Sequence, residues 1–112
     1  MLSDGARRWL QDIRHNIYLV NEWIAGVTAD QFVQDTMRFY AVVRALEIIS
    51  EASRRIDPET RARYGDLQWN AIAGAGNIYR HNYDLVEERY VWRTATEELP
   101  KLLAAVESEL TR

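Results

Sequence analysis

Apolar residues recur along this chain at intervals of three and four, and the rhythm divides the sequence into helices. Leu10, Ile13, Ile17, Val20 and Ile24 are spaced 3, 4, 3, 4, which lines one face of a helix and predicts a first helix over residues 3–24. Arg7, Arg8, Gln11, Arg14 and Glu22 cover its other faces, and Gly26 ends it. Thr28 with Gln31 three residues on has the form of a capping box, which opens a short second helix. Phe39, Val42, Leu46, Ile49 and Ile56 resume the spacing, with Ser53 in the remaining stripe position, and predict a third helix over 35–56. Arg54 and Arg55 stand in its last turn, where cations complement the helix dipole. Asp57-Pro58 stops it, because a residue before proline avoids the α region, and a short helical turn is expected over 59–64. A fourth helix covers about 67–81. A fifth covers about 87–110, with Val91, Ala95, Leu99, Leu102, Val106 and Leu110 on its stripe. Pro100 falls inside that pattern and should kink the helix or begin a new turn. Nothing alternates with period two for long enough to predict a strand. The expected fold is all-α, a single domain over residues 1–112 built as a bundle of about five helices joined by short loops.

Composition narrows the class without naming a function. The 112 residues are 47% hydrophobic and 28% charged, as in an ordinary globular domain. The absence of cysteine excludes a disulfide scaffold and a thiolate metal site and fits the reducing cytoplasm. Two histidines are too few for a histidine-rich metal site, so no metal and no cofactor are expected. No apolar run approaches the roughly 20 residues of a membrane span, and the first residues lack the apolar core of a signal peptide. A net charge of -3 means that any contact with nucleic acid is local and is not drawn by the global field.

The chemistry is concentrated between Trp69 and Tyr83. Ala71, Ala73, Gly74, Ala75 and Gly76 crowd small residues into one helix, although a helical glycine costs about 1 kcal/mol relative to alanine. The compensation expected is close approach of another backbone, within the bundle or across a dimer interface. A polar cluster follows: Asn77, Arg80, His81, Asn82 and Tyr83. Such a cluster can be no more than a hydrogen-bonded helix end. It also contains a histidine able to move protons near neutral pH and an arginine able to hold a phosphate. Trp9, Trp23, Trp69 and Trp92 are taken as core or interface residues. Arg89 and Arg93 are read as part of a solvated face, since Asp84, Glu87 and Glu88 offset their charge.

The order of these pieces resembles one family. Trp69-x-x-Ile72-Ala73-Gly74, then Asn77, then His81-x-Tyr83, followed by Val86 and Trp92, looks like the signature region of HepT-like proteins in the HEPN (higher eukaryotes and prokaryotes nucleotide-binding) superfamily. Ile49-Ser50-Glu51-Ala52 resembles the family's Ile-Gly-Glu-Ala segment, and Leu99-Pro100 its Leu-Pro in the last helix. With Trp9-Leu10-x-Asp12-Ile13 and Phe32-Val33-x-Asp35-Thr36, the likeness covers nearly the whole chain. It implies a five-helix HEPN bundle and a homodimer with a composite site at its interface. It also implies metal-independent RNA cleavage as the toxin of a toxin–antitoxin pair. The implied antitoxin is a minimal nucleotidyltransferase that silences the toxin by transferring AMP to the motif tyrosine, here Tyr83.

The family motif is arginine, four residues, histidine, any residue, tyrosine. His81 matches its histidine, and Asn77 the polar residue after its arginine. The arginine position itself is Gly76. RNA cleavage through the 2′-hydroxyl builds negative charge on the phosphate, which needs a cation to hold it. Arg80 is the expected substitute: it lies four residues after Gly76, about 40° away around the helix. Helical side chains lean back toward the N-terminus, so Arg80 should reach over the space that glycine leaves. A salt bridge from Arg80 to Glu51 is the structural alternative, compatible with the first role because it would orient the guanidinium. Two functions stay open: a ribonuclease using Arg80, His81, Tyr83 and Asn77 with Glu51 in support, or a non-cleaving subunit that binds a partner nucleotidyltransferase.

Overall fold

The computed structural model describes residues 2–81 and 87–112, and for residues 77–81 the backbone alone. Helix α1 spans Asp4–Ile24, with the Ser3 side chain accepting the Ala6 N–H. Gly26, at φ +75°, takes the left-handed conformation that turns the chain out of a helix and that glycine adopts without a Cβ penalty. Helix α2 spans Ala29–Gln34 behind the expected capping box: Gln31 N–H donates to Thr28 Oγ1 at 3.1 Å and Thr28 N–H to Gln31 Oε1 at 2.9 Å.

Helix α3 spans Thr36–Ser53, capped by Asp35. It ends three residues before the expected 56. Residues 54–56 instead make tighter turns, with Arg55 N–H bonded to Ala52 O and Ile56 N–H to Ser53 O. The cause is Pro58, which holds Asp57 extended at ψ 156° and forbids another helical turn before it. Asp57 then caps α4, Pro58–Arg63, where proline at the first position loses no hydrogen bond. Helix α5 spans Trp69–His81, and Trp69 ties its start to the preceding turn through Nε1–H donated to Tyr64 O.

The last helix is one continuous rod in three parts: α6 over Glu88–Arg93, a π-helical turn over Thr94–Glu98, and α7 over Leu99–Leu110. The expected break at Pro100 takes this form. Proline has no N–H to donate to the preceding turn, and the wide π turn gives way to α7 at Leu99, with Pro100 in the first turn of α7. Thr94 and Thr96 hydroxyls donate to Tyr90 O and Trp92 O on the same stretch, a back-bonding that bends helices. Among the described residues there is no strand.

Helix α3 occupies the centre. It packs on α1 and α5 and touches α2 and α6, while α7 closes over α1. Half of its eighteen residues are buried, more than a single stripe supplies. The predicted stripes of α1 and of the C-terminal helix meet it in one core, and of all their members Ile24 alone is incompletely buried. Phe32 of α2 wedges between Phe39 and Trp92, with ring centroids 6.3 and 5.3 Å away. Among the described residues no helix is long and apolar enough to cross a membrane.

One charge is buried in this core. Glu109 is 2% exposed and takes Arg63 Nε–H and the Tyr64 hydroxyl, each at 3.1 Å. The Arg63 guanidinium holds its carboxyl below the ordinary range against the opposing effect of burial. The interaction therefore stabilises the fold above the unfolded carboxylate pKa of about 4.3 and is lost as pH falls through the lower folded value. Glu109→Gln is expected to lower the melting temperature at pH 7 and to flatten its decline between neutral and strongly acid pH. Thermal scans of both proteins across that range check this; parallel curves would show that Glu109 is not a source of the acid sensitivity.

Candidate functional site

Helix α5 carries Asn77, Arg80 and His81 of the polar cluster at its C-terminal end, and its attachment to α3 determines where that end lies. Ile72 and Ala75 pack against the core. Ala71 and Gly74 are exposed, and a Cβ built on Gly74 meets nothing within 4 Å. Gly76 is buried. The small-residue stretch thus divides between two tasks: one side admits α3, and the other is open in the single chain.

The α3–α5 contact is made by a hydroxyl. Ser50 is 1% exposed. Its Oγ–H donates to Ala73 O at 2.8 Å, and its Oγ accepts the Gly76 N–H at 2.9 Å. The same serine borders a mostly apolar cavity of about 180 Å³ between α3, α5 and the π turn, lined also by Leu46, Ile72, Ala75, Thr94 and Leu99. Gly76 therefore meets α3 through its backbone N–H, and the Arg80 side chain expected over Gly76 lies outside the described residues.

Asn77, Arg80 and His81 all belong to α5. By helical spacing Asn77 and His81 share one side, and Gly76 and Arg80 a neighbouring one. Their side chains lie outside the described residues, as does Tyr83. Glu51 follows Ser50 on α3. It receives Arg55 at 3.1 Å and also Arg54, and these arginines, Arg55 first, hold its carboxyl below the ordinary range. A pairing of Glu51 with Arg80 involves a side chain outside the described set. The tryptophans behave as core residues: Trp69 is buried, and Trp9, Trp23 and Trp92 pack against the apolar cluster. Arg55 lies over the Trp9 ring at 5.4 Å. Arg89 pairs with Asp30 at 2.9 Å and Arg93 with Glu97 at 3.9 Å, so that run is a solvated, charge-paired face.

The profile of the family described as "Ribonuclease HepT-like" matches residues 13–109. The chain belongs to the HepT-like ribonuclease family. Among its relatives, "Putative RNase MJ1380" of Methanocaldococcus jannaschii is 34% identical, over 96% of this chain and 98% of that protein. "Putative RNase TTE0752" of Caldanaerobacter subterraneus is 32% identical, over 95% of each chain. "Probable ribonuclease HepT" of Thermococcus cleftensis is 33% identical, over 84% of this chain and 86% of that one. No solved structure matches.

Family membership sets the Ser50–Gly76 contact in a particular light. Gly76 stands where the motif quoted above has its arginine, and in this fold it touches Ser50 of the Ile49–Ala52 segment. Sequence reading passed over Ser50. The available signal was a small hydroxyl beside the α3 stripe, opposite a helix rich in alanine and glycine.

Gly74 supplies a direct test of which face of α5 is free. Because its Cβ direction is open in the single chain and its φ is not positive, Gly74→Ala is expected to stabilise the fold by about 0.5–1 kcal/mol, read as a rise in melting temperature at protein concentrations too low for copies to associate. A fall that appears only at higher concentrations would mean that something outside the single chain packs on this face.

Proposed function

We propose that this protein is a metal-independent ribonuclease that acts as a homodimer in the cytoplasm, the toxin of a pair whose antitoxin is a minimal nucleotidyltransferase. The observation that carries the reading is the position of Asn77, Arg80 and His81 together at the C-terminal end of α5, in a chain whose family is that of HepT-like ribonucleases. In the proposed reaction His81 takes the proton of an RNA 2′-hydroxyl. The 2′-oxygen forms a bond to the adjacent phosphorus as the bond to the 5′-oxygen breaks. The leaving 5′-oxygen takes a proton from water, His81 returns its proton to solvent, and the products are a 2′,3′-cyclic phosphate and a 5′-hydroxyl. Negative charge grows on the phosphate in between, and Arg80 is the cation that meets it. Asn77 and Glu51 assist, Asn77 by hydrogen bonding at the site and Glu51 from the neighbouring helix. The open face at Ala71 and Gly74 supports close approach of a second copy.

Gly76 favours one rival, a non-cleaving subunit that binds the nucleotidyltransferase, because the residue in the motif arginine's place bears no charge. Incubating purified protein with RNA in the presence of EDTA separates the two. Cleavage by the wild type is expected, with Arg80→Ala and His81→Ala each reducing it about 100-fold or more. Wild-type protein that binds RNA or the partner and leaves RNA intact would establish the rival; Arg80→Ala protein that cleaves normally would remove Arg80 from the reaction.

Silencing is proposed to act through Tyr83. An AMP phosphate placed there adds negative charge beside Arg80 and His81 and repels an RNA phosphate. Incubation with the partner nucleotidyltransferase and ATP is expected to raise the intact mass by one or more AMP units, and Tyr83→Phe to abolish the gain. A gain that survives Tyr83→Phe would place the modification elsewhere.

A further inference from the structure

We infer that Ser50 is a positioning residue for the α5 cluster: its hydroxyl fixes the register of α5 against α3, and thereby where Arg80 and His81 stand. The inference rests on the ribonuclease reading for its catalytic consequence and on the α3–α5 contact for its physical content.

Three observations converge on it. The hydroxyl is used as donor and acceptor at once, toward Ala73 O and from Gly76 N–H. Both partners belong to the helix that carries the cluster, and Gly76 immediately precedes Asn77. The contact is buried at both ends, with Ser50 at 1% exposure and Gly76 also buried. Water does not compete for a hydroxyl in such a place, and a hydrogen bond there is directional in a way that apolar contact is not. Among the described residues beside this contact, Ile72 and Ala75 of α5 and Leu46 and Ile49 of α3 are small or aliphatic and line the same cavity. Those contacts hold the helices together but tolerate sliding along the axis; the paired bonds of Ser50 do not. A shift of α5 by a fraction of a turn would displace the C-terminal cluster by ångströms, and misplacement by about 1 Å can cost a reaction 100-fold.

Ser50→Ala removes the hydroxyl with little change in volume. Ser50→Thr keeps it and adds a methyl, which the neighbouring cavity of about 180 Å³ has room to take. Under the inference, Ser50→Ala lowers kcat for RNA about 10- to 100-fold with KM within a factor of about two, because RNA binding does not run through Ser50. Ser50→Thr restores kcat to within a few-fold of wild type. Hydrogen exchange measured by NMR gives a readout independent of cleavage: the Gly76 amide and those of residues 77–81 exchange about tenfold faster in Ser50→Ala and at near wild-type rates in Ser50→Thr. Wild-type kcat in Ser50→Ala, equal losses in Ser50→Ala and Ser50→Thr, or unchanged Gly76 exchange would each overturn the positioning role. If the wild-type protein cleaves no RNA, the ribonuclease reading fails by itself, and the exchange rates alone decide whether Ser50 sets the register of α5.

Discussion

The fold depends on burying α3 from more than one side. A helix with a single apolar stripe can rest on a surface; α3, half of whose residues are buried, needs α1 on one side and α5 on another. Each neighbour is thereby fixed with respect to the other although they meet through α3. The candidate site lies on the second of these neighbours, α5. Helix α1 brings Leu10, Ile13, Ile17 and Val20, whose combined burial contributes several kcal/mol, whereas α5, among its described side chains, brings Trp69 and Ile72 to the core with alanine and glycine between them and the cluster. Tight packing of small residues allows backbones to approach, and the approach is what lets a side chain as short as serine reach across to Ala73 and Gly76.

Much of this was legible in the sequence because the relevant physics is local. The α1 and C-terminal stripes were read from spacing and are buried as read, except for Ile24 at the end of α1. The Thr28–Gln31 capping box and the Asp57-Pro58 stop depend on residues within four positions of each other, which a sequence displays directly. The α3 terminus was placed three residues late because Ile56 fits the stripe and is buried, yet it reaches the core from a turn and not from a helix. Periodicity reports which residues face inward and is silent on how the backbone brings them there.

The candidate site was legible to a smaller degree. Motif order and helical spacing proposed His81, Asn77 and Arg80, and all three lie within α5. What the sequence did not reveal was the neighbour of Gly76. Ser50 and Gly76 are 26 residues apart, and their contact depends on the relative placement of two helices, which no single-helix pattern encodes. On one helix Gly76 is only an absent side chain; in the bundle its backbone N–H is bonded to Ser50 of the neighbouring helix.

The π-helical turn at Thr94–Glu98 has a consequence for how this protein can vary. A π turn takes in roughly one more residue than an α turn, so Val91, Ala95 and Leu99, spaced four and four, all remain on the core side. The turn thus works as a phase adjuster between two rigid rods, with Pro100 as its fixed stop. Loss of one residue from this stretch would swing α6, and with it Trp92 against Phe32, around the axis of α7 without altering any residue of the core. Chain length at this point, as much as side-chain identity, is a variable by which the fold can re-aim the segment that enters α6.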